Sequence, residues 1–305
     1  MKKDFISVLD ARDDLTGLVE SALDLKKKLY AGESTGVLRD KTLAMIFEKS
    51  STRTRVSFEV AMTQLGGHSL FLSPRDLQLG RGESIADTAR TLSRYVDCIA
   101  YRGSHHSNAL ELARNSSIPV INALDDLEHP CQALADIMTI MEKKHDLGNL
   151  RLVYLGDGNN VCNSLLLACS SMGMSMTVAC PAGYEPDEDI LRKAQVLSSE
   201  RNSRCEIVRN PRDAARNADI IYTDVWVSMG DEEEADKRLR DFDGYQVNSY
   251  ILSVASADCM VMHCLPAHRG KEITDEVLDG PQSVVFDQAE NRLHTQKALL
   301  VSLLS

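Results

Sequence analysis

Short apolar runs alternate with stretches of helical periodicity along nearly the whole chain, a pattern that predicts parallel sheets wrapped by helices. The first series of runs covers 43–47, 69–72, 98–101 and 118–122; the second covers 151–155, 176–180, 205–208, 220–223, 260–263 and 284–286. Between them a helical pattern at 131–144, followed by the polar stretch His145-Asp146-Leu147-Gly148-Asn149, reads as a connecting helix. Residues 288–300 are helical again, and a chain returning to the first series would bring Arg292 near its first strand. The expected class is α/β: two doubly wound domains, each a central parallel sheet flanked by helices, joined by interdomain helices. The boundaries read as 1–145 with 288–305 returning to it, and 146–287. There is no internal repeat and no low-complexity segment.

A length of 305 residues suits two such domains. A hydrophobic content of 43% with 26% charged residues is that of a soluble globular protein. The formal net charge of -11, with no basic tail or stripe, argues against a nucleic-acid partner, so any anion must be bound in a local pocket. Lys2 and Lys3 are followed by Asp4, Asp10, Asp13 and Asp14 rather than by an apolar core, so no signal peptide is expected. Nor does any stretch approach the ~18 apolar residues of a membrane helix. The eight cysteines form no C-x-x-C pair and mostly sit in apolar runs, which reads as free thiols in a reducing compartment and predicts a cytoplasmic protein. The acidic cluster at 231–234 reads as a solvated helix start.

Doubly wound sheets bind ligands at the carboxyl ends of their strands, so the polar residues there carry the functional reading. After the first run come Ser51, Thr52, Arg53, Thr54 and Arg55, directly before the helical pattern Val56, Phe58, Val60, Ala61, Leu65. Backbone N–H groups and the positive end of a helix dipole would converge there, and Arg53 can grip phosphate oxygens through two parallel hydrogen bonds. The plainer reading is a helix capped by Ser51 or Thr52, with solvated arginines. Arg102 follows the third run, and His129-Pro130-Cys131-Gln132 follows the fourth. Proline suits a first helical turn, but histidine is a poor cap, so His129 and Gln132 read as partners for a polarised carbonyl and its amide.

In the second series, Asp157-Gly158-Asn159-Asn160 lacks the full glycine spacing of a dinucleotide loop, and no cofactor is expected. Asp224 stands four residues before Ser228; it is either a polar strand end or a carboxylate for an ammonium group with a hydroxyl beside it. Cys264 is either a packed thiol or a contact to a reacting amine. His263, Cys264 and His268 are close in sequence, yet Pro266 and the strand before them spoil a helical ligand face, so no metal is expected. Gln78 lies in a long loop and says little alone.

Taken together these segments resemble the aspartate/ornithine carbamoyltransferase family across nearly the whole chain. The likeness is carried by residues 47–55, Gly82-Glu83-Ser84 through Arg90, His129 to Gln132, Asp157 to Asn160, Asp224 through Ser228-Met229-Gly230, His263-Cys264-Leu265-Pro266 and Glu290-Asn291-Arg292. The segments at 228–230 and 263–266 are similar to its ornithine branch. The resemblance implies carbamoyl transfer from carbamoyl phosphate to the δ-amine of L-ornithine, giving citrulline and phosphate in arginine metabolism. It implies Ser51, Thr52, Arg53 and Thr54 on the phosphate, and Gln78 from a loop near a neighbouring subunit. It places Arg102, His129, Gln132, the Cys264-Leu265 backbone and Arg292 on the carbamoyl group or phosphate. Asn160, Asp224, Ser228 and Met229 would hold the amino-acid end of ornithine, with Cys264 near the amine. A cis peptide at Leu265-Pro266, closure of the two domains, and homotrimers or assemblies of trimers are also implied. The rival readings are a sibling transferase for putrescine, aspartate or acetylornithine, and a non-catalytic anion-binding homologue.

Overall fold

A computed structural model describes residues 2–77, 82–144, 146–228 and 232–305. The chain divides into two compact units, Met1–Met138 with Glu290–Ser305, and Thr139–Ala289. In the first unit β1 (Thr42–Phe47), β2 (His68–Leu72), β3 (Cys98–Arg102) and β4 (Val120–Leu124) form a parallel sheet in the order β2-β1-β3-β4. The central strands β1 and β3 are apolar at consecutive positions because both of their faces are covered; Leu43, Ala44, Met45, Ile99 and Ala100 are all fully buried. Helices Thr52–Gln64, Ile85–Leu92 and His106–Asn115 make the crossovers. The outer edge of β4 is covered by Phe5, whose N–H donates to Val120 O and whose carbonyl accepts from Asn122 N.

The second unit holds β5 (Arg151–Leu155), β6 (Ser175–Ala179), β7 (Cys205–Val208), β8 (Ile220–Thr223) and β9 (Met260–His263), all parallel, in the order β7-β6-β5-β8-β9. Tyr154 and Tyr222 stack across β5 and β8 with ring centroids 5.8 Å apart. Both units are therefore parallel sheets flanked by helices. Strand order reverses direction between β1 and β3 in one and between β5 and β8 in the other, which opens a crevice at those carboxyl ends.

The apolar run at 284–286 is not a strand. Ser283 makes one isolated parallel bridge to Val261, and the helix Val285–Leu304 begins two residues later, with Gln288 N already donating to Val284 O. Three apolar residues fit a strand or a first helical turn equally well, and here the hydrogen bonds of a 20-residue helix outweigh one bridge. Phe286 is consequently exposed. That helix is longer at both ends than the pattern at 288–300 suggests.

Phe58, fully buried, packs the helix that follows β1 into the first unit's core. Phe58→Ala should lower stability by about 3–5 kcal/mol through lost burial and the cavity left behind. Urea unfolding should show a lower midpoint at an unchanged slope.

Candidate functional site

In the first unit the carboxyl end of β1 leads to Ser51, which adopts extended backbone and caps the helix Thr52–Gln64; its Oγ accepts from Thr54 N at 3.3 Å. The plain capping role of Ser51 is thus realised, and it leaves the other N–H groups of the first turn aimed outward from the helix end. Thr52 is exposed, Arg53 half-buried and Thr54 buried. Arg55 is turned aside: its Nε meets Glu59 Oε1 at 2.9 Å and its guanidinium lies 3.8 Å over the Phe71 ring.

Arg292, 238 positions beyond Thr54 in the chain, reaches the same place. Its guanidinium donates to Thr54 Oγ1 at 3.1 Å and to Gln132 Oε1 at 2.5 Å, while Gln132 Nε2 donates to Asp136 Oδ1 at 2.8 Å. Thr54 accepts in this bond, so its own hydroxyl proton remains available to donate. Arg102 ends β3 and His129 immediately precedes the helix Pro130–Lys143; both are buried. Burial holds the His129 imidazole well below the usual histidine range, and the charges of Arg292, Arg102 and Arg53 push it further down. The cluster therefore sets positive charge around a neutral imidazole, chemistry that suits an anion and a hydrogen-bond acceptor.

In the second unit Asn159 caps the helix Asn160–Ser171, its Oδ1 accepting from Val161 N and Cys162 N. The other end of that amide donates to Asp224 Oδ2 at 2.8 Å. Asp224, buried just beyond β8, also accepts from the Cys264 thiol at 3.0 Å. The carboxylate is thus oriented from two sides. Asn160 opens its helix half-buried, and Ser228 is half-buried as well. Leu265 sits at φ 56° before a cis bond to Pro266, and its N–H donates to His263 Nδ1 at 2.9 Å. The other ring nitrogen of His263 meets the buried Glu272 at 3.2 Å. Ligand atoms of Asp224, His263 and Cys264 all lie within 4.8 Å of one another. With Nδ1 accepting and Nε2 donating, however, His263 has no lone pair to give a metal, and the group reads as a hydrogen-bonded one. Gln78 and Met229 lie outside the described residues.

Sequence reasoning passed over three groups. Asn159 was read only as part of a loop, although Asn before a helical pattern is a capping signal. Arg238, on the helix Ala235–Asp241, donates to Asp157 Oδ2 at 2.7 Å and to Trp226 O at 3.1 Å, tying the segment after β5 to the segment after β8. Glu272 fixes His263. The last two have no local sequence signature.

These features define a class: two doubly wound α/β units, one presenting an anion cradle and the other an oriented carboxylate at the carboxyl ends of their strands. Residues 3–142 match the family model described as aspartate/ornithine carbamoyltransferase, carbamoyl-P binding domain, and residues 148–303 match the Asp/Orn binding domain of the same family. The chain is 59% identical over 305 residues to an ornithine carbamoyltransferase from Methanosarcina mazei, covering 100% of each. A catabolic ornithine carbamoyltransferase from Thermoplasma volcanium is 51% identical, covering 100% of this chain and 99% of its own. Among solved structures, an ornithine carbamoyltransferase from Pyrococcus furiosus superposes with a TM-score of 0.97 at 51% identity, covering 99% of this chain and 97% of that one. The chain belongs to the aspartate/ornithine carbamoyltransferase family and is a transferase.

His129 should stay neutral at physiological pH, and its imidazole resonances should titrate below the free-histidine range. Because its folded value is depressed, the unfolded state binds the extra proton first, so its contribution to stability falls as pH drops below about 6.5. Inorganic phosphate should raise the His129 titration by offsetting the guanidinium charges, a shift that NMR would read directly.

Proposed function

We propose that the chain transfers the carbamoyl group of carbamoyl phosphate to the δ-amine of L-ornithine, giving L-citrulline and phosphate. One observation carries the reading: a neutral His129 among the charges of Arg53, Arg102 and Arg292. A phosphate dianion answers that charge, and a neutral imidazole can donate to a carbonyl oxygen, so the pocket suits an acyl phosphate better than free phosphate. The names of the full-length relatives support the same substrates.

In this reading residues 1–145 with 288–305 bind carbamoyl phosphate, and 146–287 bind ornithine. Ser51, Thr52, Arg53 and Thr54 hold the phosphate together with Gln78. Arg102, His129 and the Thr54 hydroxyl stabilise the developing oxyanion. Gln132, Arg292 and the Cys264-Leu265 backbone contact the carbamoyl group or phosphate. Asn160, Asp224, Ser228 and Met229 bind ornithine, with Cys264 beside the amine. The amine attacks the carbamoyl carbon directly, the C–N bond forms, and the tetrahedral intermediate collapses with loss of phosphate, which takes the departing proton. No covalent enzyme intermediate and no cofactor are needed.

We also place the enzyme in the cytoplasm as a homotrimer or an assembly of trimers. All eight cysteines are free thiols, and among the described residues no helix is long and apolar enough to cross a membrane. Val56 and Leu70, on the helix after β1 and on edge strand β2, are large apolar side chains left exposed. They mark a face that a second copy would cover.

Purified protein given carbamoyl phosphate with ornithine, putrescine, aspartate or acetylornithine should form carbamoylated product and phosphate with ornithine alone; no product with any amine would reject the reading. A free alkylamine titrates near ~10.4, so turnover at low ornithine should climb from neutral into alkaline pH. Arg53→Ala should lose about 2–4 kcal/mol of transition-state stabilisation, read from kcat/KM for carbamoyl phosphate.

A further inference from the structure

The turn that delivers His129 is built on a carboxylate to which the reaction above assigns no part. Asp125 follows β4 and is buried. One of its oxygens accepts from Leu127 N at 2.9 Å and Glu128 N at 2.8 Å; the other accepts from Asn122 Nδ2 at 2.7 Å and pairs with His106 Nδ1 at 2.7 Å. Its own N–H donates to Glu128 O at 3.0 Å, which closes residues 125–128 into a locked turn. The next residue is His129. Its carbonyl accepts from Gln132 N and Ala133 N, so the histidine stands at the helix N-terminus, where its side chain is a poor cap.

Two further bonds anchor the same turn. Val8 N donates to Glu128 Oε2 at 3.2 Å, and Asn122 Nδ2 also donates to Ile6 O at 3.0 Å. The order that a capping side chain would normally impose at this helix start is therefore supplied four residues earlier, by Asp125.

We propose that Asp125 is a positioning residue for His129, with His106 as its partner; this rests on the reaction assigned above. His106 opens the helix His106–Asn115, and its N–H donates to Asp126 Oδ1 at 2.7 Å. The groups that face its ring are Asp125, then Glu128 and Asp126, all from the turn; His105 precedes it on its own segment and meets Asp126. Its hydrogen bond to Asp125 raises its titration, so the pair is ionic at mildly acidic pH and loses that charge as pH rises through the raised value.

Asp125→Asn separates positioning from simple folding. The new amide can still accept from Leu127 N and Glu128 N, but it sets N–H groups against the Asn122 amide and against a charged His106. The substitution also removes the carboxylate that raises His106, so the ring titrates nearer the ordinary histidine range and is charged only in part at about pH 6; once it is neutral, its Nδ1 can accept from that amide, so the defect should shrink with rising pH. At about pH 6, kcat/KM for carbamoyl phosphate should fall about 10- to 100-fold, the scale of a displaced catalytic group. Several-fold of this should return by about pH 8.5, with KM for ornithine within about twofold throughout.

A milder pair covers the case in which Asp125→Asn does not fold. His106→Ala should lose about three- to tenfold at about pH 6, and His106→Gln, whose amide can donate to the same oxygen, should restore it. Equal losses at both pH values, or His106→Ala indistinguishable from wild type, would overturn the positioning role. Wild type run alongside separates the two failures: no citrulline from wild type rejects the reaction, whereas active wild type with unaffected variants rejects only this inference.

Discussion

Positive charge gathered out of water around one imidazole is the constraint on which the first unit depends. Arg102 and Arg292 are nearly fully buried, and taking a charge out of water costs several kcal/mol. Arg292 donates to Thr54 Oγ1 and Gln132 Oε1, both neutral oxygens, so these bonds orient the guanidinium without cancelling its charge. Thr54 comes from the helix after β1, Arg102 from the end of β3, His129 and Gln132 from the start of the helix after β4, and Arg292 from the final helix. Each of these elements is anchored by buried apolar residues of the unit, which lets the fold bring together groups that would otherwise repel.

The second unit solves the opposite problem. Its central group is a carboxylate, and the surrounding donors are neutral: the Asn159 amide and the Cys264 thiol fill one lone pair on each oxygen of Asp224. Filling them fixes the direction of the remaining lone pairs while keeping the negative charge for an incoming cation. Arg238 is engaged by Asp157 and the Trp226 carbonyl. In the proposed reaction these two environments answer ligands of opposite sign, a phosphate and an ammonium.

Much of this was legible in the sequence, and the limits have physical causes. Strands β1, β3, β5 and β8 were readable because burial on both faces forces consecutive apolar residues. The run at 284–286 misled because three apolar residues are too few to carry a period. Placing the chemistry at strand ends followed from the topology of parallel sheets, which singled out Arg53, Arg102, His129, Asp224 and Cys264 before any contact was known. The bonds that orient these groups were invisible. Thr54 to Arg292, Asp157 to Arg238 and Asn159 to Asp224 join residues far apart in the chain, and nothing local to either partner announces the other. Asp125 is a different case: Asp125-Asp126-Leu127-Glu128 has turn chemistry, but only the packed structure places its second oxygen against His106.

The state of His129 also limits how the proposed reaction can run. A general base works best when its pKa lies near the working pH, and three guanidinium groups together with burial hold this imidazole far below that range. It cannot take the amine's proton efficiently, but as a neutral donor it can polarise a carbonyl without bringing a fourth full charge into the pocket. The proton must then leave by another route, and phosphate, which gains a further negative charge as its bond to carbon breaks, is suited to accept it as it departs. Binding the phosphate first is favoured by the same electrostatics: the anion relieves repulsion among Arg53, Arg102 and Arg292, so part of its binding free energy appears as stability of the unit that holds it. In the proposed reaction a bound phosphate would offset that charge while the carbamoyl carbon stays electrophilic.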